Sequence, residues 1–385
     1  MLVAAIAVHT AAPDPAAAVH WPWEDNDPWP RTSERAARPL DHPPVERWWA
    51  GHDPAQPYRF ALFGDQRALA DGEWSELLEG IAAENALEPI AFVVDTGDIV
   101  EDGSHSDQFH FLRDLLHPIR DTPYLVGLGN HEVDNNRTRE ARENAAAFLS
   151  YLDPEITPDR FYYRKDLGAA TFLFLDTNDF VYGEDGDRKA CPLDIDPATR
   201  EGAQMRWIRE QMADLRENPP AVTVVVMHHP LVQSSEKHLN AACSMWNFQD
   251  KGEILVDLLA DGGVDLIVTG HTHTYERFRM VRSDGHTIDL INISGRPRDK
   301  FLWFGSRERR ARDIRGQEGT WLDQVGWLGL DHWGVVQEDV MARKGEANQF
   351  AILTVEPAGG VVLELFYLDD DEPGGFRRPD PVRLR

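Results

Sequence analysis

Two aspartates, one asparagine and three histidines (Asp65, Asp98, Asn130, His228, His271 and His273) stand just after apolar runs of the chain. They belong to five short motifs in fixed order: Gly64-Asp65-Gln66-Arg67, Gly97-Asp98, Gly129-Asn130-His131-Glu132, His228-His229-Pro230 and Gly270-His271-Thr272-His273. Carboxylate, amide oxygen and imidazole together suit Zn, Fe or Mn rather than a sulfur-loving ion. His131 remains as a group for proton transfer. Taken singly, a Gly-Asp pair after a strand is ordinarily a turn or a helix cap, and an Asn-His pair an exposed one. Five such motifs, each after an apolar run, argue for one polar site built from distant parts of the chain.

The elements that must position these residues alternate. Strands are expected at Tyr58–Phe63, Ile90–Asp95, Pro123–Leu128, Ala170–Asp176, Ala221–Met227 and Val264–Val268. Helical segments fall between them at Gly72–Leu87, His105–His117, Arg139–Leu149, Pro197–Glu217 and Gly252–Ala260. Alternation at this spacing implies βαβ units and a largely parallel sheet. Near-continuous Val/Ile/Phe/Leu runs fit strands covered on both faces. All five motifs then fall at strand C-termini, the edge where open α/β sheets bind ligands. The glycines before Asp65, Asp98, Asn130 and His271 would allow tight turns there.

Later strands, Thr287–Ile293, Gln349–Val355 and Gly360–Tyr367, have no long helices between them and suggest antiparallel strands of a second sheet. The chain divides into a leader and Pro/Trp-rich arm (1–57), a main domain (58–372) interrupted by an irregular insertion at 295–346, and a tail (373–385). The arm is expected to be extended, pinned by tryptophans such as Trp48 and Trp49. The insertion, just downstream of the last motif, is expected to shape specificity.

With 385 residues, 42% hydrophobic and 27% charged, the chain has ordinary globular composition. Its net charge of -27 disfavours nucleic-acid backbones and anionic membranes as partners. No apolar run is long enough for a transmembrane segment. The Ala-rich start lacks a positive n-region, which leaves export and a cytoplasmic location equally open. Two cysteines, Cys191 and Cys243, are too few for a disulfide scaffold. They either tie two rim loops together or remain free thiols. Five arginines between Arg307 and Arg315 form either a positive lip or a solvated face.

On these motifs the chain resembles the calcineurin-like metallophosphoesterases over about residues 58–275. Gly270-His271-Thr272-His273-Thr274-Tyr275-Glu276-Arg277 is most similar to the purple acid phosphatase branch. The resemblance implies an α/β fold of two mixed β-sheets packed as a sandwich with flanking helices. It implies two divalent metal ions, with Asp98 bridging them. Asp65 and His273 would bind the first, Asn130, His228 and His271 the second, and His131 would act as outer-sphere acid or substrate orienter. Two such cations repel strongly, so an anionic bridge is needed. The implied activity is hydrolysis of a small phosphorylated substrate, a phosphate monoester, by attack of a hydroxide held by the metals. A phosphodiesterase acting on a small nucleotide or lipid headgroup is the neighbouring alternative. A metal- or ligand-binding protein on a degraded scaffold is the alternative of another class.

The sequence departs from the pattern at two points. Many relatives carry Asp-x-His at the first motif, whereas here Arg67 takes the third position. A guanidinium cannot ligate a cation. Arg67 either grips a phosphate oxygen, pairs with a nearby carboxylate, or marks a weakened first site. Purple acid phosphatases also place a tyrosine three residues after the bridging aspartate, and Glu101 stands there instead. Tyrosinate-to-iron charge transfer, and hence a purple colour, is not expected. His229, whose side chain should diverge from that of His228, and Asn178 are candidates for substrate contact. Tyr275-Glu276-Arg277 is expected to lock the last metal loop through an internal ion pair.

Overall fold

Strand β1 (Tyr58–Phe63) is buried along its whole length, as is β2 (Ile90–Asp95) beside it. They pair in parallel, and β2 pairs in parallel with β3 (Tyr124–Val126). Strands here and below are numbered along the chain. The structure, a computed structural model, describes residues 37, 39–67, 72–183, 196–232, 245–273, 275–295, 333–341, 349–368 and 376–385. Cys191, Cys243, the Arg307–Arg315 stretch, most of the insertion and the leader lie outside the described residues. Arg35–Arg385 forms one compact unit.

The other edge of β1 is taken by β11 (Gln349–Val355), antiparallel to it, followed by β12 (Val361–Leu368). Two short strands, β13 (Phe376–Arg377) and β14 (Val382–Arg383), pair with β12 and complete this seven-stranded sheet. The late strands expected to form a second sheet are thus divided. The two at residues 349–368 close the open edge of β1.

The second seven-stranded sheet has the order β10-β8-β9-β7-β6-β5-β4. Its parallel centre is β5 (Ala170–Phe174), β6 (Val222–Val226), β7 (Leu266–Thr269) and β9 (Thr287–Ile293). Antiparallel strands flank this centre: β4 (Tyr163–Leu167) at one edge, and on the other side β8 (Tyr275–Arg282) followed by β10 (Trp333–Met341) at the edge. Strand β10 falls where an irregular insertion was expected, and it pairs with β8 along most of its length. Both sheets are therefore mixed, and they pack face to face. Phe172 of β5 meets Phe60 and Phe92 edge-on at 5.3 and 5.4 Å, and the hydroxyl of Tyr163 on β4 donates to the Val126 carbonyl on β3 at 2.8 Å.

Helices α2 (Gly72–Leu87), α3 (Ser106–Leu115), α4 (Arg139–Leu149), α6 (Arg200–Glu217) and α7 (Met245–Asp261) flank the sheets, with the five-residue helix α1 (Val45–Trp49) before β1 and α5 (Asn178–Tyr182) after β5. Helix α6 buries Met205, Ile208, Met212 and Leu215, spaced for one face. Each such side chain contributes about 1.5–3 kcal/mol by burial. Its start is capped by Thr199, whose hydroxyl accepts from the Gly202 amide at 3.1 Å. The arm is not wholly extended, because Trp48 and Trp49 lie on α1. Both rings pack on Tyr58, at 5.9 and 5.6 Å. No helix among the described residues is long and apolar enough to cross a membrane.

Candidate metal centre

The loops after β1, β2, β3, β6 and β7 converge at one edge of the sandwich, and their backbones are hydrogen-bonded to one another. The Asp65 amide donates to Gly97 O and the Arg67 amide to Asp98 O, both at 2.8 Å, while the Gly270 amide donates to His228 O at 3.0 Å. Glu132 ties two of these loops together. Its Oε2 accepts from the amides of Asp98 (2.9 Å) and Gly129 (2.8 Å), and its Oε1 from Val100 (3.1 Å). Burial, then the Asp98 charge, push the Glu132 carboxyl up to about 7.

One group of donor atoms comes from both sheets. His228 Nε2 lies 3.2 Å from Asn130 Oδ1, 3.3 Å from His271 Nδ1 and 3.3 Å from Asp98 Oδ1, and His271 Nδ1 lies 3.1 Å from Asn130 Oδ1. Donors about 2.0–2.1 Å from a common divalent ion stand roughly 3.0–3.4 Å apart around it, so this spacing fits such an ion. The Asn130 amide is oriented by its Nδ2, which donates to Asn135 Oδ1 at 3.1 Å and leaves Oδ1 toward the imidazoles. His228 Nδ1 is held by the Thr96 carbonyl at 3.0 Å, which turns Nε2 to the centre.

A second group, Asp65, Asp98 and His273, places its potential donor atoms within 4.8 Å of one another. Asp65 accepts the His271 amide at 2.8 Å on Oδ2 and the Ser294 hydroxyl at 2.5 Å. Ser294 Oγ in turn accepts the His273 amide at 2.9 Å. Asp98 belongs to both groups. Its Oδ1 faces His228, and its Oδ2 faces Arg67 (3.4 Å) and His131 (3.8 Å).

Arg67 reaches into the second group. Its Nη2 donates to His273 Nε2 at 3.2 Å and approaches Asp98 Oδ2 at 3.4 Å, while Nη1 lies 3.6 Å from Glu101. Burial opposes the Arg67 charge, but Asp98, Glu101 and Asp65 more than offset it and raise its pKa. The field is anionic throughout. Burial alone would raise Asp98, yet His228, His131 and Arg67 hold it well below the carboxylate range. Burial disfavours a charged His228, but Asp98, Asp65 and Glu132 push it up to about 9. A field that draws a proton onto that imidazole also draws a metal cation to it.

His131 Nδ1 donates to the Glu101 carbonyl, 2.5 Å away; since a carbonyl only accepts, Nδ1 carries the proton. Nε2 then faces Asp98. His229 is fully buried, with Nδ1 2.7 Å from Thr177 Oγ1 and its ring 4.5 Å from that of His271. Rather than diverging, His228, His229 and His271 bring one nitrogen each within 4.8 Å of the others. Asn178 is also fully buried, and its Nδ2 donates to Gly129 O (3.1 Å) and Asp176 Oδ1 (2.9 Å). Tyr275, Glu276 and Arg277 open β8, where Arg277 reaches across to Glu338 on β10 at 3.8 Å, so this ion pair runs between strands. Ser294 and Thr96 are not among the residues expected from the sequence, and Glu132 stands in its motif without an expected role. Ser294 had a signal, since it directly follows the last residue of β9 at the same sheet edge.

Backbone conformation marks the same residues. Asp65, Asp98, His271 and His273 have φ of 61, 58, 68 and 53°, and Arg67 has 44°. Left-handed values are uncommon for non-glycine residues and concentrate at functional sites. Of the glycines before the ligands, Gly97 has positive φ (99°). Gly64, Gly129 and Gly270 serve a different need, close approach. An added Cβ would sit 1.9 Å from Thr96 Oγ1, 2.2 Å from Asp98 N and 2.6 Å from Asp65 Oδ2, respectively.

Comparison with known proteins agrees with this architecture. A family model described as calcineurin-like phosphoesterase matches residues 58–275. Purple acid phosphatase 22 of Arabidopsis thaliana is 24% identical over 230 residues, 58% of this chain and 46% of that protein. The probable inactive purple acid phosphatase 9 of the same plant is 24% identical over 270 residues, 61% of this chain and 38% of that one. The chain thus spans about half or less of the length of these relatives. Among solved structures, the purple acid phosphatase PPD1 of yellow lupin (Lupinus luteus) superposes with a TM-score of 0.50 at 16% identity, over 84% of this chain and 54% of that one. PhoD superposes with a TM-score of 0.50 at 14% identity, over 90% and 73%. These two share the fold.

Proposed function

This chain belongs to the calcineurin-like phosphoesterase family, and from that premise we propose that it is a dinuclear metal-dependent hydrolase of phosphate monoesters. The observation that carries the reading is the position of Asp98. Its Oδ1 lies 3.3 Å from His228 Nε2 of one donor group, and its carboxylate also groups within 4.8 Å with the donor atoms of Asp65 and His273, a placement that suits a bridging ligand. Asn130, His228 and His271 would hold one divalent ion, and Asp65 and His273 the other. Such a pair supplies an activated water and Lewis-acid polarisation of the phosphoryl oxygens. The chain's own residues do the rest. His131 keeps its Nδ1 proton on Glu101 O and turns Nε2 toward Asp98, and as the imidazolium it would pass the Nε2 proton to the leaving oxygen, returning to the neutral Nδ1–H form. Arg67 offers its fork to a phosphate oxygen. His229 and Asn178 back the donors, one against the His271 ring and the other on the carbonyl before Asn130. With Glu101 in place of a tyrosine, no tyrosinate-iron colour is expected.

A second reading has its own support. The hydrogen bond from Arg67 to His273 Nε2 engages a donor that the first ion requires, as in a binding protein on a degraded scaffold. Metal analysis with a substrate panel separates the readings. The protein is loaded with Mn, Zn, Fe or Mg and assayed on p-nitrophenyl phosphate and bis(p-nitrophenyl) phosphate. Two equivalents of metal with monoester turnover are expected. Preference for the diester would select a phosphodiesterase. One equivalent without turnover of either would select the binding protein.

A further inference from the structure

We infer that Arg67 is a tethered cation that competes with the first metal, so that the two ions load in order, Asn130/His228/His271 first and Asp65/His273 second. The inference rests on the dinuclear reading above and adds a rule for its assembly. The geometry is exclusive at one atom. His273 Nε2 has a single lone pair, and Arg67 Nη2 donates to it at 3.2 Å. That lone pair serves either the guanidinium or a metal ion. Arg67 Nη2 also lies 3.4 Å from Oδ2 of Asp98, the residue that would bridge the two ions. A divalent ion bound there would stand within about 4 Å of a permanent positive charge, an arrangement that Coulomb repulsion penalises heavily in a buried site.

At the other group, His228 Nε2, His271 Nδ1 and Asn130 Oδ1 face one another at 3.1–3.3 Å, and among the described residues no arginine hydrogen bond is made to His228 Nε2 or Asn130 Oδ1. Arg67 also has a place to go. Its Nη1 is already 3.6 Å from Glu101, whose side chain is 35% exposed while that of Arg67 is 16% exposed. Moving outward onto Glu101 keeps the guanidinium paired, releases His273 Nε2 and brings the fork to the mouth of the site, where a phosphate oxygen would meet it. Glu101 is thus the resting post for the displaced arginine.

The test is stepwise Mn(II) titration of the full chain, with free Mn counted from the amplitude of its six-line EPR signal. Wild type, R67A, R67H and R67K are compared, each after its thermal midpoint has been checked. Wild type is expected to bind one equivalent tightly and a second at least about tenfold more weakly. R67A should narrow that gap by tightening the second step alone. R67H, which supplies an imidazole, should also give an exchange-coupled Mn-Mn spectrum at two equivalents. R67K, which keeps a cation, should retain the gap. If R67A and R67H leave both steps within about twofold of wild type, the competition is wrong while the dinuclear reading stands. If no variant binds Mn, the dinuclear reading itself fails and this inference falls with it.

Discussion

His228 Nε2 lies 3.3 Å from Asp98 Oδ1, although Asp98 follows β2 in one sheet and His228 follows β6 in the other. The site is therefore a seam. Neither sheet alone carries a complete donor set, and anything that parts the two sheet edges takes the donors apart.

Asp98→Asn is the direct test of the seam. The amide keeps the shape but removes the negative charge that two cations would share. Metal content by mass spectrometry is expected to fall from two equivalents to one or fewer. Retention of two would show that Asp98 is not the bridge.

His131→Ala is expected to lower turnover of p-nitrophenyl phosphate by about two to four orders of magnitude, the range for loss of a general acid. Metal content should be unchanged, because Nδ1 is committed to Glu101 O and Nε2 is 3.8 Å from Asp98. An unaltered rate would remove His131 from proton transfer.

Gly129→Ala tests the close approach of two loops. The new methyl would lie 2.3 Å from Asp98 Oδ1 and 2.8 Å from Glu132 Oε2. Relief requires the β2 and β3 loops to separate, at a cost of about 1–3 kcal/mol in urea unfolding. Weaker Mn binding should accompany it. Normal metal affinity with lowered stability would mean that the strain is absorbed away from Asp98.

Behind the site, Arg142 is buried between Asp176 Oδ2 (3.1 Å) and Asp179 Oδ1 (3.6 Å) and donates to Asn136 Oδ1 at 2.5 Å. Arg142→Met leaves two buried carboxylates without this partner and should destabilise the chain by about 3–5 kcal/mol. A loss below about 1 kcal/mol would show that water reaches the cluster.

The same cluster predicts a pH effect. Burial, then the Asp176 charge, push Asp179 up to about 6 from its ordinary 3.8, against the pull of Arg142 and Arg200. The folded chain then holds a proton that the unfolded chain has lost across that interval. The stability contributed by this group is fully present below about pH 4 and is lost as pH rises through 6. Relative to Asp179→Asn, the wild type should be more stable at pH 4.5 than at pH 7.5 by about 1–3 kcal/mol in urea unfolding. A difference that does not change with pH, or grows in the opposite sense, would refute the shift.

Much of this architecture was legible along the chain. Buried parallel strands such as Tyr58–Phe63 and Ile90–Asp95 are apolar runs, and their ends were found at the residues the structure shows. The antiparallel strands outside the parallel centre were not. Tyr163-Arg164-Lys165-Asp166-Leu167 at the sheet edge and Tyr275–Arg282 next to β10 carry charged, partly exposed side chains, so their hydrophobic signal is weak. Sheet membership was equally hidden. Which free edge Gln349–Val355 would join depended on β1 having one to offer.

What the amino-acid order determined by itself was the chemistry on offer: carboxylate, amide and imidazole groups, each placed after a buried strand, with Arg67 where many relatives have a histidine. Strand ends are local events, driven by the switch from apolar to polar residues, and so they are written locally. Only the tertiary structure decided that Asp98 lies beside both donor groups, that Arg67 engages His273, and that Asp65, Asp98, His271 and His273 adopt left-handed backbone. Those relations arise from hydrogen bonds and side-chain packing between loops of two different sheets, and such contacts leave no periodic trace in any single stretch of sequence.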